Sequence, residues 1–221
     1  MKAKSIKGNS SEEIQAALNE CLADKYKPTV AFVFISIKQD RNAVCKILHK
    51  ESIDIIGATS SGEFIEGHQS DGEIAIMLLD INKNDYCILF EDIGERTLNE
   101  ATTQMTNAAL KKFDKPAFIL CSTLLSANGR MLDGETLMRS IEQVAGPQVN
   151  MFGGMAGDDI SFTGTYVFTH EQSTDYGVVS LILNEDRISL YGMAISGWKP
   201  IGISRIATKT EGNLVYTIDN E

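Results

Sequence analysis

The chain has 221 residues, 43% of them hydrophobic, and a formal charge of -10 at neutral pH. That length and apolar content support a sizeable core, and a single domain over 1–221 is the expectation. Its 20 basic residues are outnumbered by 30 acidic ones and scattered, which speaks against a nucleic-acid or anionic-membrane surface, because both need clustered Lys and Arg.

The apolar runs Thr29 to Ile37 and Ile74 to Leu79 are far shorter than the ~20 residues needed to cross a bilayer, so no membrane insertion is expected. The N-terminal MKAKSIKGNSSEE has no apolar stretch behind its lysines and is not a secretory signal, so a cytoplasmic location follows as the expectation. Cys21, Cys45, Cys87 and Cys121 stand alone, without metal-ligand spacing. They read as small buried hydrophobes, and neither a metal nor a cofactor is expected.

In chain order, residues 1–27 form a lead-in read as helical. Ser10 or Ser11 caps a helix with Glu12 and Glu13 in its first turn and Ile14, Ala17, Leu18, Cys21 and Leu22 on one face. TVAFVFISI is continuously apolar and β-branched, the pattern of a strand covered on both faces. Asp40 to Lys50 reads as a second helix, and IDIIGAT as a second buried strand running into Ser60, Ser61, Gly62 and Glu63. Glu73 to Ile81 and Tyr86 to Asp92 are strand-like runs separated by Asn82 to Asp85, which predicts a hairpin. A helix over Leu98 to Phe113 follows, then the strand AFILCST, then a helix capped by Asp133 and ended by Gly146 and Pro147. After Val149 the pattern is almost wholly β: Phe162 to Phe168, Gly177 to Leu183, Ile188 to Ser196, Gly202 to Thr208 and Leu214 to Ile218. Early crossovers and late hairpins predict a mixed α+β (α/β) fold. Its mixed sheet, or two stacked sheets, would be flanked by helices, with a hairpin-rich C-terminal half.

The most unusual stretch is GGMAGDD, Gly153 to Asp159, which packs three glycines and two adjacent carboxylates into seven residues. Glycine offers no side-chain packing, so such a cluster signals a tight turn or a close approach of the main chain to something else. IIGATSSGEF and GWKPIG look like companion segments. Together IIGATSSGEF (Ile55 to Phe64), NMFGGMAGDD (Asn150 to Asp159) and GWKPIG with EGNLVYTID (Gly197 to Gly202, Glu211 to Asp219) resemble, in order and spacing, the N-terminal FIST domain, named for F-box and intracellular signal transduction proteins. The resemblance runs from about Thr29 to the end.

It implies a cytoplasmic sensory module that binds a small polar metabolite, such as an amino acid, and relays occupancy to signalling output domains. It also implies a C-terminal FIST half, which would follow the region NLVYTIDNE and is absent from this chain. By position, Ser60, Ser61, Gly62 and Glu63 match the first motif loop, Gly153, Gly154, Asp158 and Asp159 the second, and Trp198, Pro200 and Gly202 the third.

Each candidate also has a plain structural reading. GGMAGDD is either a ligand-facing loop, with the amides of Gly153 and Gly154 taking a carboxylate and Asp158 or Asp159 an ammonium group, or a strand connection whose aspartates cap backbone amides. Ser60 and Ser61 either meet a ligand or form a polar turn. Ser122 closes AFILCST and Asn128 and Arg130 follow it, and all three could reach the same rim, with Arg130 either binding an anion or pairing on the surface. Trp198 is a lid or a packing anchor.

Two readings from other classes stay open: an acyl or amide hydrolase using Ser60, Ser61 or Cys121, and a protein-interaction platform without a ligand. No GxSxG elbow is present, and His49, His68 and His170 have no evident serine or cysteine partner. Asp80, Asn82, Asn84 and Glu91 fit four calcium-loop positions, but Asp85 stands where that loop requires glycine, so an EF-hand is rejected.

Overall fold

In a computed structural model, residues 1–193, 195, 197–211 and 214–221 are described. They fall into two units, Met1–Leu190 and Tyr191–Glu221.

The first unit runs β1 (Lys2–Gly8), α1 (Ser11–Ala23), β2 (Val30–Ser36), α2 (Arg41–Lys50), β3 (Asp54–Ser60), β4 (Glu63–Ile65), β5 (His68–Ser70), β6 (Ile74–Asp80) and β7 (Tyr86–Asp92). It continues with α3 (Leu98–Lys112), β8 (Pro116–Ser122), α4 (Gly134–Ala145), β9 (Met151–Met155), β10 (Val167–Phe168), β11 (Ser173–Thr174) and β12 (Gly177–Asn184). A six-stranded sheet has the order β1-β6-β2-β3-β10-β11, and a four-stranded sheet the order β7-β12-β8-β9. Within them β2 and β3 are parallel, as are β8 and β9, while the other pairings are antiparallel.

The period-2 alternation of each strand explains how the layers stack. On β2, Ala31, Val33 and Ile35 pack with Ile14 and Leu18 of α1 and Val44 and Leu48 of α2, whereas Val30 and Phe32 turn the other way. On β8, Phe118 and Leu120 pack with Met105 of α3 and Ile141 of α4. The opposite faces of the two sheets share one core, built from Val30, Phe32, Ile56, Ala58, Ala117, Val179, Leu181 and Leu183. Helices, sheet, sheet and helices therefore form four layers, and the two stacked sheets flanked by helices are those expected from the sequence. Helix starts follow their capping chemistry: Ser10, Asp40, Thr97 and Asp133 each accept a first-turn amide.

Several sequence expectations need correction. Glu73 to Ile81 and Tyr86 to Asp92 do not form a hairpin: β6 lies between β1 and β2 in one sheet, and β7 pairs with β12 in the other. The turn is real, with the Asp85 amide on the Asn82 carbonyl at 2.8 Å, but it passes the chain from sheet to sheet. Each run is apolar on a face that needs its own helix layer, which one ribbon could not supply. The lead-in is not wholly helical either, since Lys2–Gly8 is an edge strand. Its lysines suit that place, since charge on an edge strand discourages further pairing.

In the C-terminal part, the extended run expected over Phe162 to Phe168 shrinks to Val167–Phe168, because Asp158 to Gly164 forms a loop in which Asp159, Ile160 and Phe162 all adopt positive φ. Ile188 to Ser196 includes two positions outside the described residues, 194 and 196, and its described positions are not in a strand.

The second unit contains β13 (Ala207–Glu211) and β14 (Leu214–Ile218), an antiparallel pair whose register shifts near Lys209. The Asp219 carboxylate accepts from the Ile206 amide at 2.8 Å and faces Arg205 at 3.4 Å.

Candidate functional site

At the end of the sheets where β3 and β9 finish, the shared core opens. Parallel strands β2 and β3 end together at Ser36 and Ser60, and β8 and β9 end at Ser122 and Met155. Between them lies a cleft of about 540 Å³, with Phe32, Phe34, Met77, Ile119 and Cys121 among its walls. Ser60, Ser61, Gly153, Gly154 and Gly157 also line it. Phe34 and Met77 are 40% and 39% exposed, high values for large apolar side chains in the middle strands of a sheet. A second hollow of about 550 Å³ shares Phe34, Ser60 and Met77 and extends past Gly62, Glu63 and Phe64.

The glycine motifs meet at this rim. A Cβ on Gly157 would stand 2.4 Å from the Ser61 hydroxyl and 2.7 Å from the Ser61 nitrogen, so only glycine permits this contact. The Gly157 amide donates to the Thr59 carbonyl at 2.9 Å and the Ala156 amide to the Ser122 carbonyl at 2.7 Å, joining the ends of β3 and β8. Strand β9 is the edge of its sheet. Because the Asn150 carbonyl and the Ala156 amide both face β8, alternation directs the amide and carbonyl of Gly153 away from it, along the open edge. Gly154, on the opposite face from the α4-side Met151, has open space where a side chain would be.

The two aspartates are engaged within the chain. The Asp158 carboxylate is 7% exposed and accepts from the amides of Thr163 at 2.8 Å and Gly164 at 3.3 Å, fixing the loop that follows. Asp159 accepts from the Ser36 hydroxyl at 2.6 Å and faces Lys38 at 3.6 Å, and its amide donates to the Ser61 hydroxyl at 3.0 Å. It thus ties the ends of β2 and β3 to the glycine loop.

Ser60 donates to Glu63 at 2.6 Å, and the other oxygen of that buried carboxylate accepts the Glu73 amide at 3.0 Å. Gly62 turns the chain between them at φ +91°. Ser122 is buried behind the rim. Arg130 belongs elsewhere: it donates to the Gly94 carbonyl at 3.0 Å and covers the Tyr176 ring at 3.9 Å. Trp198 lies in the second unit.

Burial pushes the Cys121 thiol up to about 12, so at neutral pH it is a protonated part of the apolar wall. His68 faces Glu73, and His49 stacks on His170.

Sequence reasoning missed Phe34, Met77, Ile119 and Met155, which line the cleft. The runs holding Phe34 and Met77 read as buried strands, Ile119 lies in a run read simply as a strand and Met155 inside the glycine motif, and no local signal separates a wall from a core position.

These features define an α/β domain of two helix-backed sheets that part at one end around a glycine-rimmed cleft. The chain belongs to the FIST N domain family, whose profile matches residues 29–221. This is a signal-transduction-associated family. No curated protein matches the chain at significant similarity. The match begins after β1 and α1, yet β1 pairs with β6 along its whole length and α1 contributes Ile14 and Leu18 to the core. No helix among the described residues is long and apolar enough to cross a membrane.

Proposed function

We propose that the chain is a cytoplasmic sensory module that binds a small molecule in the cleft between its sheets and relays occupancy to a partner domain without catalysing a reaction. The observation carrying this reading is the cleft of about 540 Å³, within the size range of small-ligand sites, with apolar walls and hydroxyl and main-chain groups at one rim. Among the described residues no Lys, Arg or His lines it, so affinity would come from an apolar body on Phe34 and Met77, and orientation from Ser60, Ser61 and the edge amide of Gly153. An amino acid with a large apolar side chain is the simplest member of that class. Ligand contact with Ser61 would act on the Gly157 and Asp159 loop, which is tied to β2 through Ser36. Signalling then requires only that the ligand prefer one arrangement of that loop over another.

Thermal-shift titration with leucine, phenylalanine, glutamate and short-chain acids tests this. A binder at a hundred times its Kd should stabilise by about 2.7 kcal/mol, and Gly154→Leu, which fills the cleft, should abolish the shift. No stabilisation by any of them, or an equal shift in the filled variant, would sink the reading.

The Ser60–Glu63 hydrogen bond supports a second reading, a serine hydrolase with a carboxylate base. Reaction of Ser60 with a fluorophosphonate probe, lost in Glu63→Gln, would establish it. An unlabelled Ser60 would dismiss it.

A further inference from the structure

Arg41 is a half-buried cation with no anionic partner among the described residues. It opens α2, and its guanidinium carbon lies 3.9 Å from the centre of the Tyr166 ring and 6.0 Å from that of Phe168. Its Nη1 is closed off from solvent and has no hydrogen-bond partner, and no carboxylate pairs with the side chain among the described residues. Aromatic stacking stabilises a guanidinium but satisfies none of its in-plane donors. Burial also lowers the Arg41 pKa, the direction expected where the charged form lacks compensation. In a chain of net charge -10, with 30 carboxylate side chains to choose from, this absence is informative.

Beside Arg41 lies a cavity of about 90 Å³ between the first turns of α2 and the β10–β11 turn, bordered also by Asn42, His170, Gln172 and Ser173. A liquid water occupies about 30 Å³, so the space admits a small anion. Asn42, Gln172 and Ser173 are exposed at its border and make no side-chain hydrogen bond to another described residue, so their polar groups are open to a bound anion. The carboxylate at the cavity, Glu171, is directed to His170 at 3.4 Å and is 74% exposed.

We propose that this cavity binds a small oxyanion, with Arg41 as its charged donor and Asn42, Gln172 and Ser173 supplying neutral hydrogen bonds. The site is separate from the glycine-rimmed cleft, and its existence does not depend on a ligand there. The pairing is a charge-assisted one, in which a planar guanidinium meets the oxygens of a phosphate or carboxylate.

The test uses the full chain, titrated with inorganic phosphate in one arm and acetate in another at ionic strength held constant with sodium chloride, read by amide chemical shifts of Asn42 and Ser173 and by thermal stability. Saturable shifts in at least one arm are expected, and the arm that saturates at lower concentration identifies the oxyanion class. Arg41→Met should weaken binding by about tenfold or more, the loss of one charge-assisted donor. Ser173→Asp places a carboxylate across the cavity from Arg41. It should abolish oxyanion binding while raising the melting temperature, which separates loss of the site from loss of the fold. Shifts that never saturate, that sodium chloride reproduces, or that persist in Ser173→Asp would overturn the proposal.

Discussion

Adjacent glycines of one motif should respond to the same substitution with opposite signs. At Gly153 an added Cβ would stand 2.3 Å from the Leu120 carbonyl oxygen, 2.8 Å from Leu120 Cβ and 3.0 Å from its carbonyl carbon. Most of that obstruction is backbone of β8, which is hydrogen-bonded to β12 on its other side, so it cannot retreat without breaking the sheet. Overpacking of this kind costs about 1–3 kcal/mol, and rigid backbone places Gly153→Ala at the upper end. Against this, replacing glycine in a strand returns about 0.5–1 kcal/mol, leaving a net loss of about 2 kcal/mol. At Gly154 the added methyl meets nothing within 4 Å, and its φ is not in the left-handed region, so Gly154→Ala keeps the gain without the clash. At about 2–4 °C per kcal/mol for a domain of this size, Gly153→Ala should melt about 4–8 °C below the parent and Gly154→Ala about 1–4 °C above it. Circular-dichroism melts and urea midpoints measure both. Equal losses in the two variants would refute the assignment of Gly153 to close packing and Gly154 to open space.

The remaining predictions concern the loop, the sheet junction and alkaline pH. Asp158→Ala strands two amides and should cost about 2–3 kcal/mol in urea unfolding, whereas Asp158→Asn, which keeps an accepting oxygen, should cost under about 1 kcal/mol; equal costs would contradict the contacts to Thr163 and Gly164. The Tyr86 hydroxyl reaches the Thr29 carbonyl at 2.9 Å and Asp54 at 2.7 Å, linking a strand of one sheet to the other. Tyr86→Phe should therefore destabilise by about 1–2 kcal/mol, and an unchanged urea midpoint would remove that tie from the account. Burial raises the pKa of Cys121 to about 12, Cys45 to about 11 and Tyr26 to about 12, and raises that of Tyr86. Groups raised in the folded state contribute stability that is complete below their unfolded values, about 8.5 for Cys and 10 for Tyr, and is lost as pH climbs through the folded ones. The urea midpoint should thus fall between pH 8 and 11, with Cys121→Val flattening the early part, and a flat profile would show that these groups ionise freely in the fold.

How much of this was legible in the sequence depends on whether the deciding contact is local. Caps at Ser10, Asp40 and Asp133, and the two-faced apolar run of β2, are written into neighbouring residues and predict their elements directly. The fate of Ile74 to Asp80 and Tyr86 to Asp92 is not, because each finds its partners at long range: β6 beside β1 and β2, and β7 beside β12, whose register begins at Gly177 opposite Asp92. Turn chemistry marks where a chain bends and says nothing of which sheet receives it. At the site, the glycines were legible as places of close approach, and Gly157 on Ser61 is such a place. Phe34 and Met77 were not legible as walls, since alternation tells which face of a strand a residue occupies but not whether another sheet covers that face.

The acidic doublet shows how far residue type alone constrains a role. Asp158 and Asp159 are adjacent and chemically identical, yet one carboxylate fixes the loop to Gly164 and the other fastens that loop to Ser36 and Lys38. Neither carboxylate lines the cleft, so under the proposed reading selection of a ligand would fall to shape, apolar contact, the Ser60 and Ser61 hydroxyls and main-chain groups. In the proposed sensor, the same division would give the relay a physical form. Asp159 contacts the end of β2 through its side chain and Ser61 through its amide, so displacement of Ser61 is felt by both parallel strands of the larger sheet. A ligand that only filled the apolar end of the cleft would add affinity without signal, whereas one that also engaged Ser60 or Ser61 would distinguish the loop's arrangements, which is the property a sensor needs.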